Sequence, residues 1–436
     1  MFASFNAFSL VFLAALALMA GLRLWLGARQ IAHIRARRAA VPQAFAGRVS
    51  LAAHQKAADY CIARVRFGRV ALAVEIALLL AFTLGGGLQA LHGFWAARLD
   101  GLWRGLALIF STMLISGAVD LPLSLYAQFV IEQRFGFNRM TLRLFALDLA
   151  KQLALGLVIG APVILAVLWL MARMGGRWWL YVWLFWCAFN LFILFVYPTW
   201  IAPLFNAFTP LVDAALKTRV EALLARCGFA ASGLFVMDGS KRSAHGNAYF
   251  TGFGKTKRIV FFDTLLSRLD GPEVEAVLAH ELGHFAHRHV VKRIALIFGL
   301  TLLLLYILAA LMQSGWFYAG LGVAAPGARD TAMALILFFQ IVPVFAFPVT
   351  PLASLLSRRH EFQADRYAAA HASAAALAEA LVKLYEDNAA TLTPDPLHSL
   401  FYDSHPPAAQ RVARLLAEAE GGLTTENTEG TEKGKT

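Results

Sequence analysis

The chain has few cysteines and few charged residues for its length. Only 3 of its 436 residues are cysteines, and they stand far apart, at Cys61, Cys187 and Cys227. This number and spacing argue against a disulfide framework and against a thiolate metal site. Charged residues make up 15% of the chain, whereas hydrophobic residues make up 59%, and the mean hydropathy is +0.61. These proportions argue against a set of soluble domains and favour an integral membrane protein.

The amino terminus has no basic residue before its first apolar run, so a cleaved secretory signal is not expected there. That run is the first of seven stretches of about twenty mainly apolar residues, each long enough to cross roughly 30 Å of hydrocarbon as a helix. The predicted spans cover residues 5–26, 68–93, 105–130, 153–172, 178–199, 294–313 and 331–353.

These spans divide the chain into five predicted regions. They are a five-span membrane region (1–199), a polar segment (200–293), the last two spans (294–353), a second polar segment (354–419) and a disordered tail (420–436).

The net charge of +12 reflects Lys and Arg residues that lie in loops, as expected of a membrane protein, so we predict no nucleic-acid partner. Between residues 29 and 69, nine Lys or Arg residues accompany a single acid, Asp59. The positive-inside rule therefore predicts that this loop is cytoplasmic and that the amino terminus is outside. Alternation along the chain then puts the two longest polar regions, 200–293 and 354–436, together on the cytoplasmic side.

The first polar region predicts a small unit of helices and strands. The segment 213–229 has helical periodicity, and Leu234–Met237 is an apolar run typical of a short strand. An alternating strand at Asn247–Phe253, a turn at Gly254–Lys257 and a return strand at Arg258–Phe262 predict a β-hairpin. A helix is predicted to follow the hairpin.

That helix opens with Gly-Pro-Glu at 271–273 and carries the sequence HELGH at 280–284. His280 and His284 are four residues apart, so both imidazoles project from one face and can bind one metal ion. In an H-E-x-x-H motif the intervening glutamate, Glu281, acts as a general base on water. Five-residue motifs also arise by chance, but this one lies in a helix with apolar neighbours, which favours a metal site.

A catalytic zinc ion takes three protein ligands, so a third must come from elsewhere. His287 shares the helical face, but seven residues of helix span roughly 10 Å, too far for one ion to bind both ends. We therefore predict that His287 and His289 are surface residues or neighbours of the ligands. Glu361 is a candidate ligand, and Asp365, one turn later, can accept a hydrogen bond from the outward N–H of a ligating histidine. The alternative is a solvated charged cluster at the end of the last span, formed with Arg358, Arg359 and Arg366.

Several separate motifs occur in a fixed order. They are IEQRFGFNRMT after the third span, IAPLFNAFTPL after the fifth, and then HGNAYFTGFG, HELGH, SRRHEFQAD and SHPPAAQR. In these motifs and in its seven spans, nearly the whole chain resembles the type I CAAX prenyl endopeptidases, integral-membrane zinc metalloproteases of the gluzincin type. The resemblance implies a mostly α-helical polytopic membrane protein. It also implies a small α+β metalloprotease domain that contains the HExxH helix and a short β-hairpin sheet.

The resemblance further implies one Zn²⁺ ion per chain. Its ligands would be His280, His284 and Glu361. In this family the third ligand is a glutamate on a later helix. Glu281 would be the general base, and Asp365 falls on the acid that supports a ligand.

The resemblance also implies residues that meet the substrate. His405 and Arg411, in SHPPAAQR, match a pair that faces the substrate near the metal. There a histidine can stabilise an oxyanion, and an arginine can hold that geometry or bind a peptide carboxylate. Asn247 and Ala248 match the family's edge strand, whose backbone pairs with an extended substrate.

The expected function is therefore hydrolysis of peptide bonds near the carboxyl terminus of prenylated proteins, with a peptide or protein substrate and membrane lipid as partners. Two alternatives stay open: a metalloprotease that removes misfolded or unprenylated membrane proteins, and a transporter or channel whose histidines relay ions. The expected location is the inner or plasma membrane of a bacterium or the endoplasmic reticulum of a eukaryote, with the active site on the cytoplasmic side. Polar residues within the spans line a chamber or bond between helices: Glu75, Asp120, Gln128, Asn190 and Gln340.

Overall fold

A computed structural model describes residues 5–230, 233–251, 258–324 and 330–432 of the chain. Helices dominate it, as predicted. The amino-terminal half is a set of long helices: α1 (Ala7–Arg37), α2 (Leu51–Phe82), α3 (Gly87–Ala96), α4 (Gly101–Tyr126), α5 (Leu142–Leu155), α6 (Ala161–Arg173) and α7 (Trp178–Val196). Single π-helical turns continue α4 and α7 at their carboxyl ends and join α5 to α6. The α5–α6 pair is therefore one unbroken span.

A four-stranded sheet and three helices follow. The elements are β1 (Phe208–Pro210), α8 (Ala214–Arg226), β2 (Gly233–Met237), β3 (Ala248–Thr251), β4 (Arg258–Phe262), α9 (Asp263–Leu266) and α10 (Gly271–Ala286). The remaining helices are α11 (His289–Leu311), α12 (Gly315–Gly320), α13 (Thr331–Ala346), α14 (Thr350–His371), α15 (Ala374–Asp387), α16 (Pro396–Tyr402) and α17 (Ala408–Glu432).

Among the described residues, six helical segments are long and apolar enough to cross a membrane. A seventh span forms if α2 and α3 are counted together, since they meet at a 49° bend. The bend falls in a glycine-rich turn where Gly86 has φ +78°, a conformation that L side chains rarely adopt. The predicted second span, 68–93, is thus a broken helix. The other helices extend beyond the predicted apolar windows because a helix can continue into polar surroundings where hydropathy no longer marks it.

The sheet has the strand order β1-β2-β4-β3. β3 pairs antiparallel with β4, which confirms the predicted hairpin strands, while the predicted turn Gly254–Lys257 lies outside the described residues. β2 is the strand predicted at 234–237, and it pairs parallel with β4. β1 was not predicted, since its three residues include a proline, but proline is tolerated at a sheet edge. β3 forms the opposite edge.

Two hydrophobic cores occupy different parts of the molecule. One lies among the membrane helices and includes Phe12, Leu88, Leu108, Leu168 and Leu337. The other joins the sheet to the helices that surround it and includes Val220, Phe261, Leu278, Leu377 and Val412. The second core is built from both polar regions of the sequence, so residues from 200–293 and from 354–419 form one unit.

The last helix extends past the boundary at which the sequence predicts a tail. α17 runs from Ala408 to Glu432 and so includes most of the segment 420–436. This segment has too few apolar residues to form a hydrophobic core, but low apolar content does not prevent its backbone from being helical. No proline follows Pro407, and each glycine in a helix costs only about 1 kcal/mol relative to alanine.

Candidate active site

Helix α10 carries the HELGH motif and has well-defined ends. Asp270 caps its amino terminus, and its side chain accepts a hydrogen bond from the Glu273 N–H while the Glu273 carboxylate accepts one from the Asp270 N–H. With Pro272 in the first turn, this start agrees with the prediction. The helix ends at Ala286, and Arg288 adopts a left-handed conformation with φ 56° before α11 begins at His289. His280 and His284 therefore lie on α10, His289 begins α11, and His287 lies between the two helices.

Helix α14 crosses α10 at close range because of the glycine in HELGH. A Cβ atom on Gly283 would lie 2.9 Å from the Cα of Ala364 and 3.0 Å from the Cβ of Tyr367. Real Cβ atoms do not approach backbone this closely, so the crossing requires glycine at this position. The close approach brings Glu361 of α14 to the two motif histidines.

The candidate ligand atoms converge on a single point. The Nε2 atoms of His280 and His284 are 3.2 Å apart, and each lies 3.5 Å from a carboxylate oxygen of Glu361. The three ligand atoms all lie within 4.8 Å of one another. Glu361 and His280 are buried, with 5% and 7% of their surfaces exposed. Glu361 is therefore part of this group and not of a solvated surface cluster, which was the alternative prediction.

The surroundings of these atoms suit a cation. Among the described residues, Glu361 Oε2 is buried and has no hydrogen-bond partner. Burial alone would lower the pKa of His280, but the Asp365 and Glu361 carboxylates beside its two ring nitrogens raise that pKa to about 9. The group thus attracts positive charge even without a metal ion. Two imidazoles and one carboxylate are a ligand set typical of catalytic zinc, so the residues fit that ion.

Asp365 and Arg411 lie behind the candidate ligands. The Asp365 carboxylate accepts a hydrogen bond from His280 Nδ1 at 2.9 Å. It also accepts two from the Arg411 guanidinium, at 2.9 Å from Nε and 2.6 Å from Nη2. Arg411 Nη1 lies 3.5 Å from Glu361 Oε2, and only 4% of the Arg411 surface is exposed. Of the two roles that the resemblance allows for this arginine, this geometry favours holding the ligands in place over binding a substrate.

His405 lies on the accessible side of the group, and Glu281 lies next to His280 on α10. His405 Nε2 lies 3.5 Å from Glu361 Oε1, yet 61% of the His405 side chain is exposed. Glu281 is half-buried beside His280, and burial raises the pKa of its carboxyl group above the usual range. A carboxylate with a raised pKa is a stronger base, so it is better suited to accept a proton near neutral pH.

Asn247 and Ala248 lie where the edge strand begins. Asn247 is exposed, whereas the Ala248 side chain is buried in the core around the sheet, so Ala248 can meet a ligand only through its backbone. The Phe262 N–H donates to the Asn247 carbonyl, and the Ala248 N–H donates to the Asn247 side chain at 2.8 Å. Since backbone groups alternate along a strand, the Ala248 N–H faces the open edge.

The two remaining histidines of the motif region differ in their surroundings. His287 is exposed, as predicted for a surface residue. His289 is 4% exposed, contacts His284, and stacks on His360 at 3.9 Å between ring centroids. The sequence pattern predicts the same role for both residues, because it does not indicate the helix break at Arg288 that separates them.

One cavity adjoins the candidate site, and another lies among the membrane helices. The first has a volume of about 840 Å³ and is lined by residues that include Asn247, His405 and Arg411. The second, of about 560 Å³, lies among the membrane helices and is lined by Glu75, Asp120 and Gln340. Three of the five polar residues in the predicted spans therefore face a cavity. The other two bond locally: Gln128 to Asn138 at 2.6 Å, and Asn190 to the Trp186 carbonyl at 2.7 Å.

The fold and the site agree with comparisons to known proteins. Residues 30–207 match the family described as CAAX prenyl protease N-terminal, five membrane helices, and residues 210–419 match peptidase family M48. The chain belongs to peptidase family M48, which makes it a multi-pass membrane metalloendopeptidase.

Individual relatives show which members of the family the chain is similar to. The chain is 37% identical over 314 residues to CAAX prenyl protease 1 of Saccharomyces cerevisiae, covering 69% of each protein. It is also 37% identical to the CAAX prenyl protease 1 homolog of Arabidopsis thaliana, over 72% of this chain and 73% of that one. The crystal structure of Ste24p from S. mikatae superimposes with a TM-score of 0.89 at 29% identity, covering 94% of this chain and all of that one. These matches confirm the resemblance to the CAAX prenyl proteases.

Proposed function

We propose that this chain is a zinc-dependent endopeptidase that cleaves prenylated substrates near their carboxyl terminus, with His280, His284 and Glu361 as zinc ligands. The observation that carries the proposal is the convergence of these three side chains within 4.8 Å, beside Glu281 and next to a cavity. A bound zinc ion supplies Lewis-acid chemistry, because it polarises a carbonyl group and acidifies water. The roles of the protein residues follow from where their side chains lie.

Glu281 acts as the general base. Its carboxylate takes a proton from the attacking water and delivers it to the nitrogen of the leaving amine, so no covalent intermediate with the enzyme is required. The raised pKa of the carboxyl group supports this role. None of the three cysteines takes part, although all three are free thiols.

His405 stabilises the oxyanion that develops as the scissile carbonyl is attacked. Its exposed imidazole is close to the ligand group, at 3.5 Å from Glu361, and lines the larger cavity. A hydrogen-bond donor in this position acts where charge appears in the transition state. Arg411 supports the chemistry indirectly, because its paired hydrogen bonds to Asp365 fix the acceptor of His280 Nδ1.

The substrate binds as an added strand along β3. The outward-facing Ala248 carbonyl and the exposed Asn247 side chain offer hydrogen bonds to an extended peptide, while the Ala248 N–H stays paired with the Asn247 side chain. Main-chain pairing of this kind supplies affinity without requiring one sequence. Prenylated substrates are favoured because the similar proteins from yeast and Arabidopsis are named CAAX prenyl proteases.

The active site faces the cytoplasm in this proposal. Support comes from the nine Lys or Arg residues in 29–69, which place that loop on the cytoplasmic side under the positive-inside rule. Prenylated proteins are also cytoplasmic or attached to the cytoplasmic leaflet, so enzyme and substrate then meet on the same side.

The decisive experiment pairs metal analysis with a cleavage assay on the purified protein in detergent. Wild-type protein is expected to contain about one zinc ion per chain and to cleave a farnesylated Cys-a-a-X peptide. Glu281→Gln should keep the zinc and lose cleavage by a factor of about 100 or more, as expected when a general base is removed. Metal-free protein that remains active would overturn the site, and cleavage restricted to unfolded, unprenylated membrane proteins would overturn the substrate class.

A further inference from the structure

The larger cavity has a second wall that the proposed catalytic residues do not use. Helices α1 and α2 form this wall, and three arginines line it: Arg23, Arg64 and Arg69. Among the described residues that line the cavity, the only acid is Asp403. The wall is therefore strongly cationic, and it faces the same space as Asn247 and His405.

The three arginines differ in what they bind. Arg23 is neutralised by Glu75, with 2.8 Å between Nη1 and Oε2. Arg64 packs against the ring of Tyr60, 5.5 Å from the centroid. Arg69 Nε is buried and has no hydrogen-bond partner among the residues that the structure describes. Within the described part of the chain, no carboxylate forms an ion pair with Arg64 or Arg69.

The backbone around Arg69 leaves room for its guanidinium group. A side chain on Gly27 of α1 would meet Arg69, since a Cβ atom there would lie 3.6 Å from Nε and 3.9 Å from Nη2. Gly68 also lines the cavity next to Arg69. Gly27 thus lets the Arg69 side chain lie against α1. An uncompensated buried donor is costly unless a ligand satisfies it.

We propose that Arg64 and Arg69 form a binding subsite for the terminal carboxylate of the peptide substrate, a proposal that rests on the endopeptidase function above. A planar guanidinium with several N–H donors matches a carboxylate better than any other side chain does. The ligand is a peptide end because the same cavity contains the proposed catalytic residues.

The dimensions of the cavity suit this assignment. An extended peptide advances roughly 3.3 Å per residue, so the end of a chain cleaved about three residues earlier lies roughly 10 Å from the scissile bond. A cavity of about 840 Å³ can hold a segment of that size. The subsite would therefore select substrates whose scissile bond lies at a fixed distance from the chain end. It would favour a carboxyl-terminal segment over an internal one.

The test compares two farnesylated Cys-a-a-X peptides that differ only at the chain end, one a free carboxylate and the other a carboxamide. Full-length wild-type protein in detergent should cleave the carboxylate with a kcat/KM about 10- to 100-fold higher, the range expected for hydrogen bonds to a charged group. In Arg64→Gln and Arg69→Gln this preference should shrink toward one. Zinc content and thermal unfolding at the wild-type level would show that both variants fold.

Arg66→Gln is the matched control, because Arg66 is exposed on the same helix and does not line the cavity. It should keep the full preference for the carboxylate. Equal wild-type cleavage of both peptides would overturn the subsite but leave the endopeptidase function standing. The subsite would also be overturned if both variants kept the preference for the carboxylate. The same holds if the variants lost cleavage of both peptides by an equal factor. Failure of wild type to cleave either peptide would instead contradict the proposed function.

Discussion

His289 Nδ1 lies 3.0 Å from His284 Nδ1. His284 directs its other nitrogen, Nε2, at His280 and Glu361, so a metal ion there requires the lone pair of Nε2 and leaves the proton on Nδ1. His284 Nδ1–H then donates to His289 Nδ1. The proton of His289 is therefore on Nε2, which donates to Gln363 Oε1 at 2.8 Å. The two motif histidines are thus oriented differently: His280 by a carboxylate, and His284 by a neutral imidazole and an amide.

Replacing His289 should weaken metal binding without touching a ligand. In His289→Ala, His284 loses the acceptor that fixes its tautomer, and zinc affinity should fall about 10- to 100-fold. The measurements are zinc release to a chelator and the visible spectrum of the Co²⁺-substituted protein, which reports ligand geometry directly. His287→Ala is the control, since His287 is exposed and should release zinc at the wild-type rate. Equal release rates in the two variants would contradict this role for His289.

Gly283→Ala should damage the site by separating two helices. The added Cβ would meet the backbone of α14 at 2.9 Å, and relieving that contact moves Glu361 away from the histidines. We expect a loss of stability of about 1–3 kcal/mol, as for other overpacked cores, together with reduced zinc content. Gly299→Ala in α11 is the matched control, because a Cβ there meets nothing within 4 Å. Normal zinc content in Gly283→Ala would show that the crossing is not what positions Glu361.

Arg411 should contribute far more to stability than a surface arginine does. Arg411→Ala leaves Asp365 buried with an unpaired charge, which typically costs about 3–5 kcal/mol. Arg268→Ala removes an arginine whose side chain is 65% exposed beside Asp387, and such pairs contribute at most about 1 kcal/mol. Thermal unfolding of both variants in detergent provides the comparison. Similar melting temperatures for the two would argue against a buried ion pair at Asp365.

Asp395 gives stability a defined pH dependence. Burial alone would raise the pKa of Asp395, but the His398 N–H and the Arg29 guanidinium hold that pKa below its usual value. A lowered pKa stabilises the folded state above the usual carboxyl pKa of about 3.9, and this contribution is lost as the pH falls below it. Asp395→Asn should therefore lower Tm throughout the range from about pH 8 to about pH 5, with the difference shrinking only below about pH 4. A difference that already disappears near pH 6 would assign the effect to another group.

Local patterns carried most of the sequence-based prediction. Residues 270–284 contain the capping box, the proline of the first turn and the helical spacing of two ligands, so this segment could be interpreted without any other part of the chain. The hairpin strands were equally local, since alternation and length define them. The spans followed from hydropathy, although their ends did not, because a helix end depends on capping and packing more than on polarity.

Contacts between distant segments could not be predicted in this way. Spacing alone left Glu361 undecided between a ligand and a surface acid, and only the crossing at Gly283 brings it to the histidines. The pairing of His289 with His284 depends on a helix break at Arg288, where a residue other than glycine takes a positive φ. The subsite at Arg64 and Arg69 could not be predicted either, because these two arginines belong to no sequence motif. Only the cavity that they line indicates a role for them.

The edge position of β3 has a consequence for which proteins can be degraded. A free strand edge accepts only backbone that is already extended and has unpaired N–H and carbonyl groups. Helices and the inner strands of sheets have no such groups to offer, because their N–H and carbonyl groups are already paired. If the substrate binds along β3 as proposed, access to the site therefore depends on the conformation of the target segment and not on recognising each protein.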